Sequence, residues 1–223
     1  MDLWEKCVDF HGHTCGGLRI GYAAASYAME LMHIGFSDNE QVVCISENDA
    51  CGVDAIQVML GCSIGKGNLL FHMTGKQAFS FYNRANGESV RLVLKPKPLD
   101  MTPEECKRYY FDRSPAELFD AMPVRMPMPT PARNFDSYNC ECCGEKTGAN
   151  WVRLVNGKVL CLDCCEQLFD TMPTRLTLPT PARIFDSYYC DGCGEKTGAN
   201  WIRIAGGKKL CLDCYESYNR FDV

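Results

Sequence analysis

This chain has little excess charge, few histidines and no long apolar run, although 46% of its 223 residues are hydrophobic. No apolar stretch approaches the roughly 18 residues that a membrane-spanning helix requires, so no membrane protein is expected. The first ten residues carry Asp2, Glu5 and Asp9 where a secretion signal has basic residues. A cytoplasmic protein is therefore expected, with its 16 cysteines reduced and metal-bound rather than joined in disulfides.

The sequence also lacks a basic segment. The net charge is −5, and residues 183–223 carry six Lys or Arg against six Asp or Glu. A nucleic-acid backbone is therefore not an expected partner. Residues 61–67 contain Gly-Lys-Gly, but a phosphate-binding loop needs four residues between its glycines and Ser or Thr after the lysine. No two-glycine dinucleotide fingerprint occurs, so the sequence does not predict a nucleotide site.

Two copies of one cysteine pattern occupy the second half of the chain. In each copy, two cysteines are separated by two residues, and a second such pair follows after 17 residues. This spacing is typical of a tetrahedral zinc site in which one pair lies on a knuckle turn and the other at a helix start. The predicted zinc ligands are Cys140, Cys143, Cys161 and Cys164 in the first copy, and Cys190, Cys193, Cys211 and Cys214 in the second.

The duplication extends well beyond the cysteines. Residues 118–165 and 168–215 align without a gap and are identical at 33 of 48 positions. Cys142 and Cys165 of the first copy become glycine and tyrosine in the second, so neither is an expected ligand. The second half of the chain is therefore a tandem repeat of one zinc-binding unit.

Each copy has the pattern of a treble-clef-like zinc module, with a knuckle, a hairpin and a helix that opens at the second cysteine pair. The hairpins are predicted to start at Trp151 and Trp201 and to turn at Asn156-Gly157 and Gly206-Gly207. At about 35 residues, such a module is too small to fold without its metal. The two tryptophans are interpreted as packing residues of the two small cores.

The N-terminal part alternates helical and strand patterns. Asn86-Gly87 predicts a two-residue hairpin turn, because both residue types tolerate positive φ, and Thr102-Pro103 predicts a capped helix start. Helices are predicted over residues 18–34 and 54–60, and strands over 41–46, 68–74, 76–84 and 89–95. The expected fold class is α+β, with an N-terminal core domain followed by two tandem treble-clef-like zinc modules.

Proline-rich segments mark the expected domain boundaries, because proline supplies no backbone donor and favours extended chain. These segments are interpreted as semi-rigid linkers. The predicted parts are a core over residues 1–121, linkers at 122–133 and 172–183, and zinc modules over 134–171 and 184–223.

A cluster of chemically active side chains lies near the N-terminus. His11, His13 and Cys15 alternate along the chain, so in an extended backbone they would share one face and could meet one ion or substrate atom. Imidazole and thiolate suit zinc or another late transition metal. Cys15 also precedes a predicted helix, whose N-terminus favours a thiolate. The alternative is a glycine-rich loop in which these residues have only a structural role.

Four ordered motifs within residues 1–118 carry a family resemblance. They are His11-Gly12-His13-x-Cys15, Cys51-x-Val53-Asp54-Ala55-Ile56-Gln57, Gly61-Cys62-Ser63-x-Gly65-Lys66-Gly67-Asn68-Leu69 and Gly75-Lys76-x-Ala78-Phe79. Together they resemble the FmdE family, proteins similar to the FmdE component of formylmethanofuran dehydrogenase. The resemblance implies a dimeric α+β core with a cleft that contains the His-x-His-x-Cys segment and Cys51. The family name reflects association with a molybdenum or tungsten enzyme of methanogenesis and does not define an activity.

Two features depart from the family pattern. Cys15-Gly16-Gly17 stands where the family usually has Cys-Pro-Gly, which predicts a more flexible loop. Family members often carry a C-terminal cysteine-rich zinc finger, and this chain carries two.

The leading hypothesis is a zinc-binding FmdE-like protein whose N-terminal cleft binds a further transition metal or a small substrate. The candidate residues of this cleft are His11, His13, Cys15, Cys51, Asp54, Cys62 and Lys66. The first three are candidate metal ligands, or Cys15 is a nucleophile with a histidine as its base. Cys51 is a candidate fourth ligand, or a redox partner of Cys15 or Cys62.

Two other classes of function stay open. A non-enzymatic metal carrier or assembly factor for a molybdenum or tungsten enzyme would use the same thiols and imidazoles, with the zinc modules docking a protein partner. A nucleic-acid-binding regulator is the less favoured alternative, since four-Cys fingers also resemble those of small bacterial transcription factors.

Overall fold

The computed structural model describes residues 1–98, 100–132, 136–169, 187–205 and 207–215. Three helices form one layer of the N-terminal core: α1 (Leu3–His11), α2 (Gly16–Met32) and α3 (Gly52–Leu60). The helical patterns of the sequence do not predict α1, although Asp2 and Glu5 form a capping box at its start. The other two helices confirm the prediction, and each begins two residues earlier than expected.

The second layer is a five-stranded sheet, which confirms the α+β class. Its strands are β1 Val42–Ser46, β2 Leu69–Phe71, β3 Ala78–Asn83, β4 Ser89–Leu94 and β5 Phe119–Met122. The strand order is β2-β1-β3-β4-β5, with β1 and β2 parallel and the other pairs antiparallel. Two short helices, α4 (Pro103–Arg108) and α5 (Pro115–Leu118), precede the last strand, and α4 has the predicted capping box at Thr102.

The hairpin between β3 and β4 exists, but its turn is longer than predicted. The Gly87 amide donates to the Asn83 carbonyl at 2.9 Å, and the Asn83 amide donates to the Glu88 carbonyl at 2.9 Å. Of the Asn86-Gly87 pair, only Gly87 has positive φ (77°). Residues 84–87 therefore form a four-residue connection, and the prediction of a two-residue turn is wrong because that turn needs positive φ at both residues.

The sheet is covered on both faces. Its helix-facing side belongs to the main hydrophobic core, where Leu18, Ile56 and Phe81 are completely buried. On the other side, Val43, Ile45 and Tyr82 form a separate apolar cluster. A sheet with two buried faces explains why β1 is hydrophobic at consecutive positions rather than alternating.

Part of the proline-rich segment after β5 covers this second side. Met126 and Met128 pack on its apolar cluster. The Tyr82 hydroxyl donates to the Met126 carbonyl at 2.8 Å, and the Arg84 guanidinium donates to the Pro129 carbonyl at 2.6 Å. Residues 124–129 are thus part of the core packing, while the boundaries of the predicted linkers and modules stay a prediction.

The first zinc module contains two hairpins and a helix. β8 and β9 are joined by the predicted turn, in which Asn156 (φ 51°) and Gly157 (φ 77°) are both left-handed. The helix opens at the second cysteine pair, as expected. The elements are β6 Ser137–Asn139, β7 Lys146–Gly148, a 3-10 turn at Ala149–Trp151, β8 Val152–Val155, β9 Lys158–Cys161 and α6 Leu162–Phe169.

The second module repeats the same hairpins. Its elements are β10 Ser187–Tyr189, β11 Lys196–Gly198, a 3-10 turn at Ala199–Trp201, β12 Ile202–Ala205 and β13 Lys208–Cys211. Residues 212–214 form a turn. The rest of the predicted helix lies outside the described residues, as do Gly206 of the predicted hairpin turn and residues 172–183 of the second linker. The second module belongs to the same compact unit as the core, whereas the first forms a unit of its own.

Buried ion pairs attach the second module to the core. Lys76, completely buried, places its ammonium 2.9 Å from Glu195 and 2.6 Å from Asp213. Arg91 binds Glu195 on one side (3.0 Å) and Glu47 on the other (2.5 Å). Burial opposes ionisation of Glu195, but hydrogen bonds from Arg91 and Lys76 outweigh it and lower the pKa of Glu195 to about 2. The carboxylate is therefore charged at neutral pH, and the interface is ionic at its centre.

Candidate functional site

The structure brings each predicted set of four cysteines together. Within each set, the sulfur atoms lie within 4.8 Å of one another. The Cys161 amide donates to the Cys140 sulfur at 3.3 Å, and the Cys211 amide donates to the Cys190 sulfur at 3.2 Å. Backbone donors from Cys143 and Cys161 lower the pKa of Cys140 to about 6, which favours the thiolate form that binds metal. Both sets thus have the donor chemistry of a four-thiolate metal site.

The two tryptophans of the modules lie in different surroundings. Trp201 packs on Gly75 of the core, where an added Cβ would lie 2.1 Å from the indole ring. Trp151 is 62% exposed, so its interpretation as a packing residue of the first module is wrong. The small core of that module consists of Leu160 and the cysteines, with Val155 packed against it.

His11, His13 and Cys15 also converge, although not on an extended chain. His11 ends α1, Gly12 turns the backbone in left-handed conformation (φ 89°), and Cys15 is the N-cap residue of α2. The backbone from His11 to Cys15 is therefore not extended, so the side chains do not meet by alternation along a strand. The donor atoms nevertheless lie within 4.8 Å of one another, because the glycine turn folds His13 and Cys15 back toward the end of α1.

Asp54 orients the His11 ring. Its carboxylate lies 2.7 Å from His11 Nδ1, and His11 Nε2 lies 3.7 Å from the Cys15 sulfur. A carboxylate only accepts, so this contact places the ring proton on Nδ1 and leaves the Nε2 lone pair facing Cys15. The arrangement fits two roles: a metal-ligating histidine held by a carboxylate, or a base beside a thiol.

Cys15 caps the first turn of α2. The Leu18 amide donates to its sulfur at 3.2 Å, in the position of an N-cap hydrogen bond. The amides of the first turn of α2 carry the positive end of the helix dipole, so the sulfur lies at the electropositive end of that helix. The predicted placement at a helix start is thus confirmed.

Close packing of glycines brings Cys51 to Cys15. At Gly21, an added Cβ would lie 1.9 Å from the Gly52 carbonyl oxygen, so α2 and α3 meet backbone to backbone. At Gly17, it would lie 3.5 Å from the Cys51 sulfur and 3.8 Å from the Cys15 sulfur. Burial raises the pKa of Cys51, and the neighbouring Cys15 raises it further. The two thiols are neighbours with different electrostatic surroundings.

A cavity of about 360 Å³ opens beside this cluster. Its polar wall includes His11, Cys51 and the carboxylates of Asp49 and Asp54, and its other wall is apolar. The complete lining is His11, Asp49, Ala50, Cys51, Val53, Asp54, Gln57, Ile64, Leu69 and Phe71. Because none of the described residues that line it is a lysine or an arginine, the cavity is better suited to a neutral or cationic molecule than to an anion.

Two predicted site residues lie elsewhere. Cys62 is buried in the main core, where its thiol contacts the Val42 carbonyl at 3.7 Å. Lys66 donates to the Ser37 carbonyl at 2.6 Å, and its ammonium lies 5.5 Å from the centre of the Phe36 ring. Cys62 thus contacts the start of β1 and Lys66 contacts the loop before it, and neither contact is with the His11 cluster.

The sequence motifs did not identify several residues of the cavity wall. Asp49 precedes Cys51 by two residues, and Ile64 and Phe71 belong to a loop and to a strand end. Ile64 is 69% exposed, and only the structure shows that this aliphatic side chain lies beside the cavity.

The N-terminal domain is thus an α+β core in which a helix-capped thiol and a carboxylate-held histidine lie beside a cavity. Residues 10–120 match the family described as "FmdE, Molybdenum formylmethanofuran dehydrogenase operon". Through this N-terminal domain, the chain belongs to the FmdE family.

Two similar proteins illustrate this relationship. The crystal structure of a tungsten formylmethanofuran dehydrogenase FmdE-like protein from Syntrophus aciditrophicus has the same fold, with a TM-score of 0.54 and 22% identity over 73% of this chain and 90% of that chain. A protein described as a "Probable S-adenosyl-L-methionine-binding protein" of Archaeoglobus fulgidus is 29% identical over 127 residues. This match spans 55% of the chain and only 32% of that relative.

Among the residues that the structure describes, no helix is both long and apolar enough to cross a membrane.

Proposed function

We propose that this protein is a metalloprotein in which the two four-Cys sites hold zinc and the His11, His13 and Cys15 cluster holds a third transition metal ion. The observation that carries the proposal is the convergence of these three donors within 4.8 Å, with Asp54 fixing the tautomer of His11. Two imidazoles and a thiolate form a donor set suited to zinc and neighbouring metals. Such an ion would supply a Lewis acid at the edge of the cavity.

The residues around the cluster support binding of a small molecule in the adjacent cavity. Asp54 holds His11 in place, and Cys51 lies beside Cys15 as a candidate further ligand or redox partner. The wall combines two carboxylates with apolar side chains, so we infer a substrate with an apolar body and a neutral or positively charged group.

The family description names the molybdenum formylmethanofuran dehydrogenase operon, and the similar crystal structure is that of a tungsten formylmethanofuran dehydrogenase FmdE-like protein. These names support a role of the proposed site in that metabolism. The described relative from Archaeoglobus fulgidus adds S-adenosylmethionine, a sulfonium cation, as a ligand to test in the cavity. Its positive charge and apolar parts agree with the wall of carboxylates and aliphatic side chains.

Metal analysis of the full-length chain tests the proposal. We expect three metal ions per wild-type chain, two in a His11→Ala/His13→Ala variant, and two in a Cys161→Ser variant. Circular dichroism and a His33→Ala control show whether the histidine substitutions act on the site or on the fold. Two metals in the wild type, unchanged in the histidine variant, would leave Cys15 as a thiol-based site without an ion.

The exposure of one ligand favours a second candidate function, a metal carrier or assembly factor. His13 is exposed while His11 and Cys15 are half-buried, so an ion at this cluster would be accessible for transfer. Competition with a chromophoric chelator distinguishes the two functions. Removal of one ion within seconds, with the other two retained, would support a carrier, whereas a third ion as inert as the zinc ions would support a resident cofactor.

A further inference from the structure

The contact between the second zinc module and the core has a defined chemistry. On the core, we call Gly75, Lys76 and Arg91 the basic edge. Lys76 and Arg91 both bind the Glu195 carboxylate, at 2.9 and 3.0 Å. The Gly198 amide donates to the Gly75 carbonyl at 3.0 Å, next to an isolated antiparallel bridge between Lys76 and Thr197.

The module contributes what we call the acidic-aromatic face. In the second module, this face consists of Glu195, Thr197, Trp201 and Asp213. Thr197 is completely buried, and Trp201 covers Gly75, whose positive φ (74°) and missing Cβ make room for the indole ring. Asp213 at the rim binds Lys76 at 2.6 Å and Arg125 at 3.3 Å.

The first module carries the same face at the same positions of the repeat. Glu145, Thr147, Trp151 and Asp163 align with the four residues of the second module without substitution. The backbone that presents the tryptophan is also the same, since each tryptophan ends a 3-10 turn after a short strand. Each aspartate immediately precedes the last cysteine ligand, within α6 in the first module and within a turn in the second. Glu145 and Asp163 are exposed, and the indole of Trp151 is 62% exposed.

In the second module, the same four residue types form the contact with the core, so on the first module they make up a contact surface that is exposed. Tryptophan is enriched among the residues that dominate binding energy, and large exposed apolar groups with a polar rim mark sites for partner proteins. Within this chain, the matching basic edge is already covered by the second module. The face on the first module is therefore available to a basic edge on another protein.

We propose that the first zinc module is a docking module for a partner protein that presents a glycine beside a lysine and an arginine, the chemistry of the basic edge. Glu145 bridges the two cations, Trp151 covers the glycine, and Asp163 binds the lysine from the rim. One contact of the second module is missing. The Tyr189 hydroxyl accepts from the Lys97 amide at 3.2 Å, and Asn139 stands at the aligned position. The first module thus recognises the basic edge without that hydroxyl.

The probe for this docking is a full-length chain whose own modules no longer dock. It carries Glu195→Ala and Trp201→Ala to uncover its basic edge, and Glu145→Ala and Trp151→Ala so that its first module cannot replace the second. All zinc ligands are kept, and two zinc ions per chain with a native circular dichroism spectrum verify its fold. A milder probe with Glu195→Gln and Trp201→Phe serves if the first does not fold.

Binding of wild-type chain to the immobilised probe is the measurement. We expect saturable binding that weakens at least tenfold in a Glu145→Ala/Trp151→Ala chain, and that weakens at high salt. Lys158→Ala, on the same module but outside the face, serves as the matched control and should bind like wild type. A charge swap sharpens the test: Lys76→Glu in the probe should abolish binding of the wild type and restore binding of Glu145→Lys.

Two results would overturn the proposal. One is the absence of saturable binding to a folded probe at concentrations where both proteins remain monodisperse. The other is binding that the Glu145→Ala/Trp151→Ala substitutions leave unchanged, since the acidic-aromatic face would then not be the surface involved.

Discussion

The two zinc modules of this chain have nearly the same sequence and very different surroundings. Trp201 covers Gly75 and Thr197 is completely buried, whereas Trp151 is 62% exposed and Thr147 is half-buried. The difference does not arise within the modules, because the residues and their secondary structure are alike. It shows that burial of a repeated residue is determined by what the repeat docks on, not by the repeat itself.

Replacement of a zinc ligand should give the largest difference in stability between a change in the first module and the same change in the second. Metal binding supplies on the order of 10 kcal/mol to a small zinc module, so Cys161→Ser and Cys211→Ser should each unfold one module and remove one zinc ion. Only Cys211→Ser should also lower the melting temperature of the core, by more than about 5 °C, because the core loses the contacts of its docked module. Calorimetry with zinc analysis checks both. Equal effects of the two variants on the core would mean that docking adds nothing to core stability.

Removal of the Glu195 carboxylate, at the centre of the interface, should cause the next largest loss in the free energy of unfolding. Glu195→Ala leaves the buried ammonium of Lys76 and one side of Arg91 without their shared partner, which for a buried ion pair costs about 3 kcal/mol. Glu145→Ala, the aligned and exposed position, should change stability by less than about 0.5 kcal/mol. Urea unfolding of both variants, monitored by core fluorescence, makes the comparison.

The two tryptophans offer a third comparison. Trp201→Ala removes a half-buried indole from the interface and should cost about 2 kcal/mol, less than a fully buried tryptophan would. Trp151→Ala should be close to neutral. If Trp151→Ala were as destabilising as Trp201→Ala, the exposed position of Trp151 would not describe the protein in solution.

A glycine substitution tests whether the indole and the core surface really meet. Gly75→Ala places a methyl group 2.1 Å from the Trp201 ring and requires positive φ, so we expect a loss of about 1 to 2 kcal/mol. In a Trp201→Ala background, Gly75→Ala should destabilise the protein less, because the clash with the indole is gone and only the cost of positive φ at alanine remains. A double-mutant cycle measures this coupling, and simple additivity would contradict the contact.

Much of the fold could be predicted from local signals. The zinc ligands follow from cysteine spacing, and the turn at Asn156-Gly157 forms because both residues accept positive φ. By contrast, Asn86-Gly87 has the same dipeptide, yet the β3–β4 register places four residues in that connection. The dipeptide favours a turn, but cross-strand pairing and packing decide the length of the connection.

The candidate site could be predicted in composition but not in shape. His11, His13 and Cys15 were identified by their alternation, yet they meet through a helix end, a left-handed glycine and an N-cap. Their partner Asp54 is 43 residues from His11, and only the packing of α1 beside α3 brings the two side chains together. Cys62 lies in the same family motif as Lys66, but neither reaches the cluster, since a shared motif does not imply a shared site.

Arg91 has a consequence for the order of events in folding. Its guanidinium is held on one side by Glu47, a residue of the core itself, and only its other side binds the second module. The Arg91 side chain of the basic edge, which binds the module, is therefore already oriented once the sheet has formed. Docking is then expected as the last step, so that the interface slows unfolding while leaving the folding rate of the core nearly unchanged. Release of the module would be the first event when the protein opens.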